Sequence, residues 1–200
     1  AYSYFNSGDY ENAAYQFLDF TKKYPKDKRF TDARLRLADS YFGSKNYSAA
    51  SKVYQELFTS DSRLSIDPNI RYQYAQTLYK SGKTDEAITE FKNIQEKFPN
   101  SEYAEVSLYT IGWIHFQKRQ YTQSIAQYNS VIKKYPKTKL EPIIYYSIGD
   151  AQFNMEKYDS AIVNYEKVIS QFPSSQYVFD AVNGIQYSYV AKGTPEKAIS

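Results

Sequence analysis

Residues 105–141 read EVSLYTIGWIHFQKRQYTQSIAQYNSVIKKYPKTKLE, and this stretch decides the fold. Its Gly112, Ser124, Tyr128 and Pro136 each belong to a column of similar residues that recurs every 37 positions along the chain. The four columns are Ala38, Ala75, Gly112 and Gly149; Ala13, Ala50, Ala87, Ser124, Ala161 and Ala198; Phe17, Tyr54, Phe91, Tyr128 and Tyr165; and Pro25, Ser62, Pro99, Pro136 and Pro173. Several columns that keep one period indicate an internal repeat.

Each repeat contains two amphipathic segments, which in this stretch cover 105–117 and 121–134. Their apolar residues follow the i, i+3, i+4, i+7 spacing of a helix with one buried face. The short polar break 118–120 predicts an antiparallel pair, here called helix A and helix B. Small residues let the two helices approach closely, aromatic side chains fill the space opposite, and Pro136 ends helix B.

Hydroxyl residues follow the proline of each repeat and are candidates for capping the next helix A. They are Ser101, Thr138 and Ser175, again 37 residues apart. A serine or threonine at a helix start accepts a hydrogen bond from a free backbone N–H.

The columns resemble the tetratricopeptide-repeat family, whose pattern is W-x2-L-G-x2-Y, then A-x3-F, then P. The closest matches are Leu108, Ile111, Gly112, Ser124, Tyr128 and Pro136, and Tyr145, Ile148, Gly149, Ala161, Tyr165 and Pro173. The family repeat has about 34 residues, and the extra residues here follow the proline. The resemblance implies an all-α, right-handed superhelix, a solenoid of antiparallel helix pairs with a concave inner face.

The repeat predicts a single array over residues 1–200. It would consist of a partial repeat 1–30, the repeats 31–67, 68–104, 105–141 and 142–178, and a partial repeat 179–200. Terminal repeats normally carry a polar capping face. Neither end of this sequence has one, so we expect the array to continue in both directions within a longer protein.

Composition argues against several classes of function. A hydrophobic share of 42% with 24% charged residues is typical of a folded protein, and a net charge of +3 is too small to indicate nucleic-acid binding. No apolar run approaches the roughly 20 residues of a membrane span. The chain has no cysteine and a single histidine, His115, which stands where the repeat places Tyr. We therefore predict a protein that is not an enzyme and that holds no metal or cofactor.

In tetratricopeptide arrays helix A lines the concave groove, so the resemblance also implies a binding surface. The first row would be Leu35, Tyr72, Tyr109 and Tyr146, the middle row Asp39, Gln76, Trp113 and Asp150, and the third row Phe42, Tyr79, Phe116 and Phe153. The candidate partner-binding groove comprises Tyr72, Gln76, Tyr79, Tyr109, Trp113, Phe116, Tyr146, Asp150 and Phe153. The middle row varies most and includes the only Trp, an amino acid favoured as a binding anchor. The alternative is that Trp113 only packs against the next repeat.

The partner is predicted to be a protein or peptide. Chaperone-binding arrays of this family hold an acidic C-terminus with a Lys–Asn pair on helix A, and no corresponding pair, such as Tyr146 and Asp150, fits that pattern. The aromatic-Pro linkers at Pro99, Pro136 and Pro173 resemble those of bacterial envelope proteins, namely outer-membrane assembly lipoproteins and the Tol–Pal periplasmic coordinator. This implies a periplasmic or envelope scaffold. The alternatives are a cytoplasmic protein, or an accessory region of a larger enzyme or regulator.

Overall fold

A computed structural model describes residues 1–60 and 64–198. Within them, every regular element is helical, and the short 3-10 helices Leu64–Ile66 and Pro195–Ala198 accompany eleven α-helices. The α-helices are α1 Tyr2–Asn6, α2 Tyr10–Lys23, α3 Phe30–Gly43, α4 Tyr47–Ser60, α5 Pro68–Lys80, α6 Thr84–Lys97, α7 Glu102–Gln117, α8 Tyr121–Lys134, α9 Glu141–Asn154, α10 Tyr158–Gln171 and α11 Val178–Ala191. Ser62 of the proline column lies outside the described residues, as do parts of the predicted repeats 31–67 and 179–200.

The chain divides into two compact units, residues 1–104 and 105–200. The division falls in the first turn of α7, where the predicted repeat 68–104 meets the predicted repeat 105–141. In the first unit α3 pairs with α4 and α5 with α6. In the second unit α7 packs on α8 through Gly112 and Tyr128, and α9 pairs with α10, which also packs on α11.

The predicted helices are present. Helix B of the central repeat has the predicted bounds, Tyr121–Lys134, whereas helix A begins earlier than predicted, at Glu102. Ser101 caps this start, because its hydroxyl oxygen accepts the backbone N–H of Tyr103 at 3.1 Å. The helices B begin at Tyr10, Tyr47, Thr84, Tyr121 and Tyr158, each 37 residues after the one before.

The capping prediction is wrong for Thr138 and Ser175. Helix α9 begins only at Glu141 and α11 only at Val178, without a side-chain cap. Like Ser101, the two hydroxyl oxygens accept the backbone N–H of the second residue after each, at 3.0 Å and 3.2 Å, but here that residue precedes the helix. They stabilise the turn that precedes the helix, because α9 and α11 begin three residues after these hydroxyl groups, whereas α7 begins one residue after Ser101.

One residue between helix A and helix B has a left-handed backbone in every repeat. These residues are Gly8, Lys45, Gly82, Arg119, Glu156 and Gly193, with φ between 58° and 86°. The conformation folds the chain back so that the N–H of Gln120, for example, bonds to the carbonyl of His115 at 2.9 Å. This is the left-handed ending common to helices. It fixes the antiparallel return of helix B.

Small residues and aromatic rings form the contact between paired helices. The aromatic column of helix B is at most 2% exposed throughout. A Cβ added to Gly149 would lie 2.6 Å from Cε1 of Tyr165, and one added to Gly112 would lie 2.7 Å from Cε1 of Tyr128. Both distances are too short for real atoms, so the rings occupy the space that the glycines leave open.

Candidate functional site

The nine predicted groove residues all lie on helices A and are partly buried. Tyr72, Gln76 and Tyr79 belong to α5 in the first unit. The other six belong to the second unit: Tyr109, Trp113 and Phe116 lie on α7, and Tyr146, Asp150 and Phe153 lie on α9.

The first row packs against the buried aromatic column of its own helix pair. The ring-centre distances are 5.5 Å for Tyr72 and Phe91, 5.4 Å for Tyr109 and Tyr128, and 5.8 Å for Tyr146 and Tyr165. Aromatic contacts at these distances stabilise a fold. The first row therefore packs the helix pair together, in addition to contributing to the surface of helix A.

The third row closes the hairpin between helix A and helix B. Phe116 meets Tyr121 edge to face with ring centres 5.4 Å apart, and Phe153 meets Tyr158 in the same way at 5.4 Å. In the first unit Phe42 and Tyr47 repeat this contact. The three phenylalanines of this row thus have a structural role in the turn, whereas Tyr79 has Thr84 at the position of the partner ring.

The middle row differs chemically from repeat to repeat, and its two aspartates share one arrangement. The hydroxyl of Tyr54 donates to Asp39 Oδ1 at 2.6 Å, and the hydroxyl of Tyr165 donates to Asp150 Oδ1 at 2.7 Å. In both cases the tyrosine belongs to the buried aromatic column of helix B. A core side chain of helix B therefore holds a partly buried carboxylate of helix A.

Asp150 borders a cavity of about 360 Å³ in the second unit. The predicted residues Tyr146 and Phe153 line it together with Tyr165. The remaining lining residues are Asn154, Asp180, Asn183, Gly184 and Tyr187, most of them from α11. The structure thus brings Tyr146, Asp150 and Phe153 together in one concave site.

The contribution of α11 was missing from the predicted groove, although the repeat signals it. Asn183 stands 37 residues after Tyr146 in the first row, and Tyr187 stands 37 residues after Asp150 in the middle row. Extending the rows by one period would have found both. Asp180 lies one helical turn before Asn183 and matches none of the three rows.

A smaller cavity, of about 250 Å³, occupies the corresponding place in the first unit. Asp39, Phe42 and Tyr54 line it as Asp150, Phe153 and Tyr165 line the other. The polar groups differ, because this cavity contains Arg36, whose Nη1 lies 2.9 Å from Asp39 Oδ2. Asp39 is therefore paired with a cation from its own helix.

The two aspartates share one electrostatic property. Burial raises the pKa of Asp150 above its ordinary value, hydrogen bonds from Tyr165 and Tyr146 oppose the rise, and the charge of Asp180 adds to it. Burial likewise raises the pKa of Asp39, against the hydrogen bond from Tyr54 and the charge of Arg36. Removing a carboxylate from water disfavours its charged form.

His115 contributes to the turn between α7 and α8. Its Nδ1 lies 2.7 Å from Oε1 of Gln120, and because an amide oxygen only accepts, the imidazole donates. Within residues 1–60 and 64–198, no three His, Cys, Asp or Glu side chains come together as a metal site. In the same part of the chain every helix is too short or too polar to cross a membrane.

One family model matches 127 of the 200 residues. The model of YfiO, an outer membrane lipoprotein, matches residues 65–191. The chain belongs to this family. A tetratricopeptide-repeat model matches residues 1–62, which confirms the family predicted from the repeat columns. No curated protein matches the sequence significantly.

Solved structures establish the fold. The C-terminal part of a repeat-containing protein from Cytophaga hutchinsonii superposes with a TM-score of 0.76 at 18% identity, covering 95% of this chain and 69% of that one. A tetratricopeptide repeat protein from Parabacteroides merdae has a TM-score of 0.73 at 15% identity, covering 99% and 73%. MamA from Desulfovibrio magneticus has a TM-score of 0.65 at 18% identity, covering 84% and 89%. The fold is an all-α tetratricopeptide-repeat solenoid, a fold typical of protein-interaction scaffolds.

Proposed function

We propose that this chain is a non-catalytic scaffold that binds a segment of another protein on its helix A surface, as part of a bacterial cell-envelope assembly. The observation that carries the proposal is the match of residues 65–191 to a family of outer membrane lipoproteins. That family name supports a location at the envelope. The repeat fold supports binding, because stacked helix pairs offer an extended surface for a partner.

The middle row is the part of this surface best suited to choosing a partner. Residues of the first and third rows contact aromatic rings of helix B, as Tyr109 contacts Tyr128 and Phe116 contacts Tyr121, whereas the middle row carries Asp39, Gln76, Trp113 and Asp150. Trp113 is partly buried, so it contributes both to packing and to the surface. A row that carries acidic, amide and aromatic side chains in successive repeats gives different positions along a bound segment different preferences.

Site-specific photo-crosslinking in the native host tests the proposal. A photoreactive phenylalanine analogue replaces Gln76 or Tyr187 on helices A, and Lys92 or Glu166 on helices B as controls. Gln76 is partly buried and the other three are exposed. We expect a discrete adduct with an envelope protein from the helix A positions only. Adducts from helix B alone, or recovery of the protein outside the envelope fraction, would contradict the proposal.

A further inference from the structure

The two equivalent cavities differ in charge. Pairs of lining residues 111 positions apart correspond to one another, so Asp39 corresponds to Asp150. Arg36 of the first unit becomes Ser147 in the second, and Asn69 becomes Asp180. The cavity of the first unit therefore contains one carboxylate and its own cation, whereas the cavity of the second unit contains two carboxylates.

The cavity of the second unit lacks an internal cation. Among the described residues, no ion pair involves Asp150 or Asp180, and the charge that acts on Asp150 is the like charge of Asp180. Burying a carboxylate beside another without a cation costs free energy. A ligand that brings a positive charge would remove this cost.

The walls of the cavity are aromatic. Tyr146 and Phe153 line it from α9, and Tyr187 lines it from α11. Gly184 stands where the first unit has Gln73, and the ring of Tyr165 fills the space beside it, since a Cβ added to Gly184 would lie 2.6 Å from Cζ of Tyr165. Aromatic faces attract cations, and the planar guanidinium group of arginine both stacks on rings and bonds to carboxylates.

We propose that this cavity binds the side chain of an arginine from the partner protein, with the guanidinium group between Asp150 and Asp180 and against the ring of Tyr187. Arg36 in the first unit shows the same chemistry supplied from within the chain, since it pairs with Asp39. The inference deepens the proposed function and rests on it, because it names the chemistry of the segment bound at the helix A surface.

An NMR titration of the 200-residue chain tests the inference at low ionic strength. The probe is the peptide acetyl-Ala-Ala-Arg-Ala-Ala-amide, and its control contains citrulline, the neutral analogue of arginine. We expect saturable shifts of the backbone amides of Asn183 and Gly184, and no such shifts around Asp39. Citrulline should bind about tenfold more weakly or worse, because it lacks the charge that strengthens the hydrogen bonds.

Two variants make the test specific. Asp180→Asn copies Asn69 of the first unit and should weaken arginine binding about fivefold or more. Glu166→Gln removes the same charge from an exposed site on α10 and should leave binding unchanged. Equal binding of citrulline, equal effects of the two variants, or equal shifts around Asp39 would each overturn the inference.

The result of the NMR titration can be distinguished from that of the crosslinking experiment. If adducts form at Gln76 and Tyr187 but arginine binds no better than citrulline, the scaffold function stands and the arginine site is wrong. If arginine binds as expected but no adduct forms on helices A, the cavity is a cation site and the proposed function is wrong.

Discussion

Tyr165 donates a hydrogen bond to Asp150 Oδ1 at 2.7 Å, although its ring is only 2% exposed and belongs to the core. One side chain thus fills the space between paired helices with its ring and holds a partly buried carboxylate with its hydroxyl. The stability of the fold and the geometry of the candidate site are linked through this residue. The same link joins Tyr54 to Asp39 in the first unit.

Tyr165→Phe should separate these two roles. The ring stays in place, but Asp150 loses one of its two tyrosine donors and keeps Tyr146, so we expect a loss of about 1–3 kcal/mol in the free energy of unfolding. Tyr165→Ala removes the ring as well and should cost about 3–5 kcal/mol. Urea denaturation at pH 7 measures both, with Tyr15→Phe at a 67% exposed position as control. Equal losses of stability in the Phe and Ala variants would show that the ring of Tyr165 does not have a packing role separate from that of its hydroxyl.

The pKa of Asp150, raised by burial, predicts a pH dependence of stability. Since the folded-state pKa lies above the unfolded value near 3.8, the stability contribution is fully present below that value. It is lost as the pH rises through the folded-state pKa. Asp150→Asn should therefore reduce this decline and raise the denaturation midpoint at pH 7. If the stability of the variant fell more steeply with rising pH than that of the wild type, the assigned direction of the pKa shift would be wrong. Glu166→Gln, at an exposed position, is the control.

Gly149→Ala should destabilise the protein, against the usual helix preference. In an ordinary helix interior this substitution stabilises by about 0.5–1 kcal/mol. Here the added Cβ would lie 2.6 Å from the ring of Tyr165, and overpacking of this kind costs about 1–3 kcal/mol. The sign of the change in thermal midpoint decides between the two effects. A stabilised variant would show that the ring can move aside.

Glu156→Gly should stabilise the turn between α9 and α10. Glu156 has a φ of 60°, a left-handed conformation that disfavours a residue with a side chain by about 1–2 kcal/mol. Because glycine also loses more freedom on folding, we expect a net gain of about 0.5–1 kcal/mol. The matched control is Gly82→Ala, at φ 86° in the equivalent turn, which should destabilise. Calorimetry on both variants should show opposite shifts of the unfolding temperature.

Trp113→Ala should weaken binding of the partner protein that crosslinking at the helix A positions identifies. Loss of a large aromatic anchor should cost more than about 1 kcal/mol of binding free energy, a loss that most interface residues do not show. Circular dichroism checks that the helices remain, and titration calorimetry with the captured partner gives the affinity. Tyr15→Ala, on an exposed face of α2, is the control. Unchanged affinity would mean that Trp113 serves packing alone.

The sequence by itself determined the repeat, the bounds of helix B and the aromatic column. These features follow from apolar spacing within single helices, from small residues that face rings, and from proline at helix ends. All of them depend on nearby residues and recur every 37 positions. The left-handed residues of the turns have the same period. The sequence did not predict this conformation at Lys45, Arg119 and Glu156, because these residues are not glycine, the amino acid that usually signals it.

Only the tertiary structure decided which polar groups meet around each aspartate. Asp150 and Asp180 lie on different helices and become neighbours because α10 packs against both α9 and α11. Asp39, at the corresponding position, pairs instead with Arg36. Residue types in a column show that a carboxylate is present. The charge environment of that carboxylate depends on burial and on side chains from neighbouring helices. The spacing of residues along the sequence does not reveal either of these.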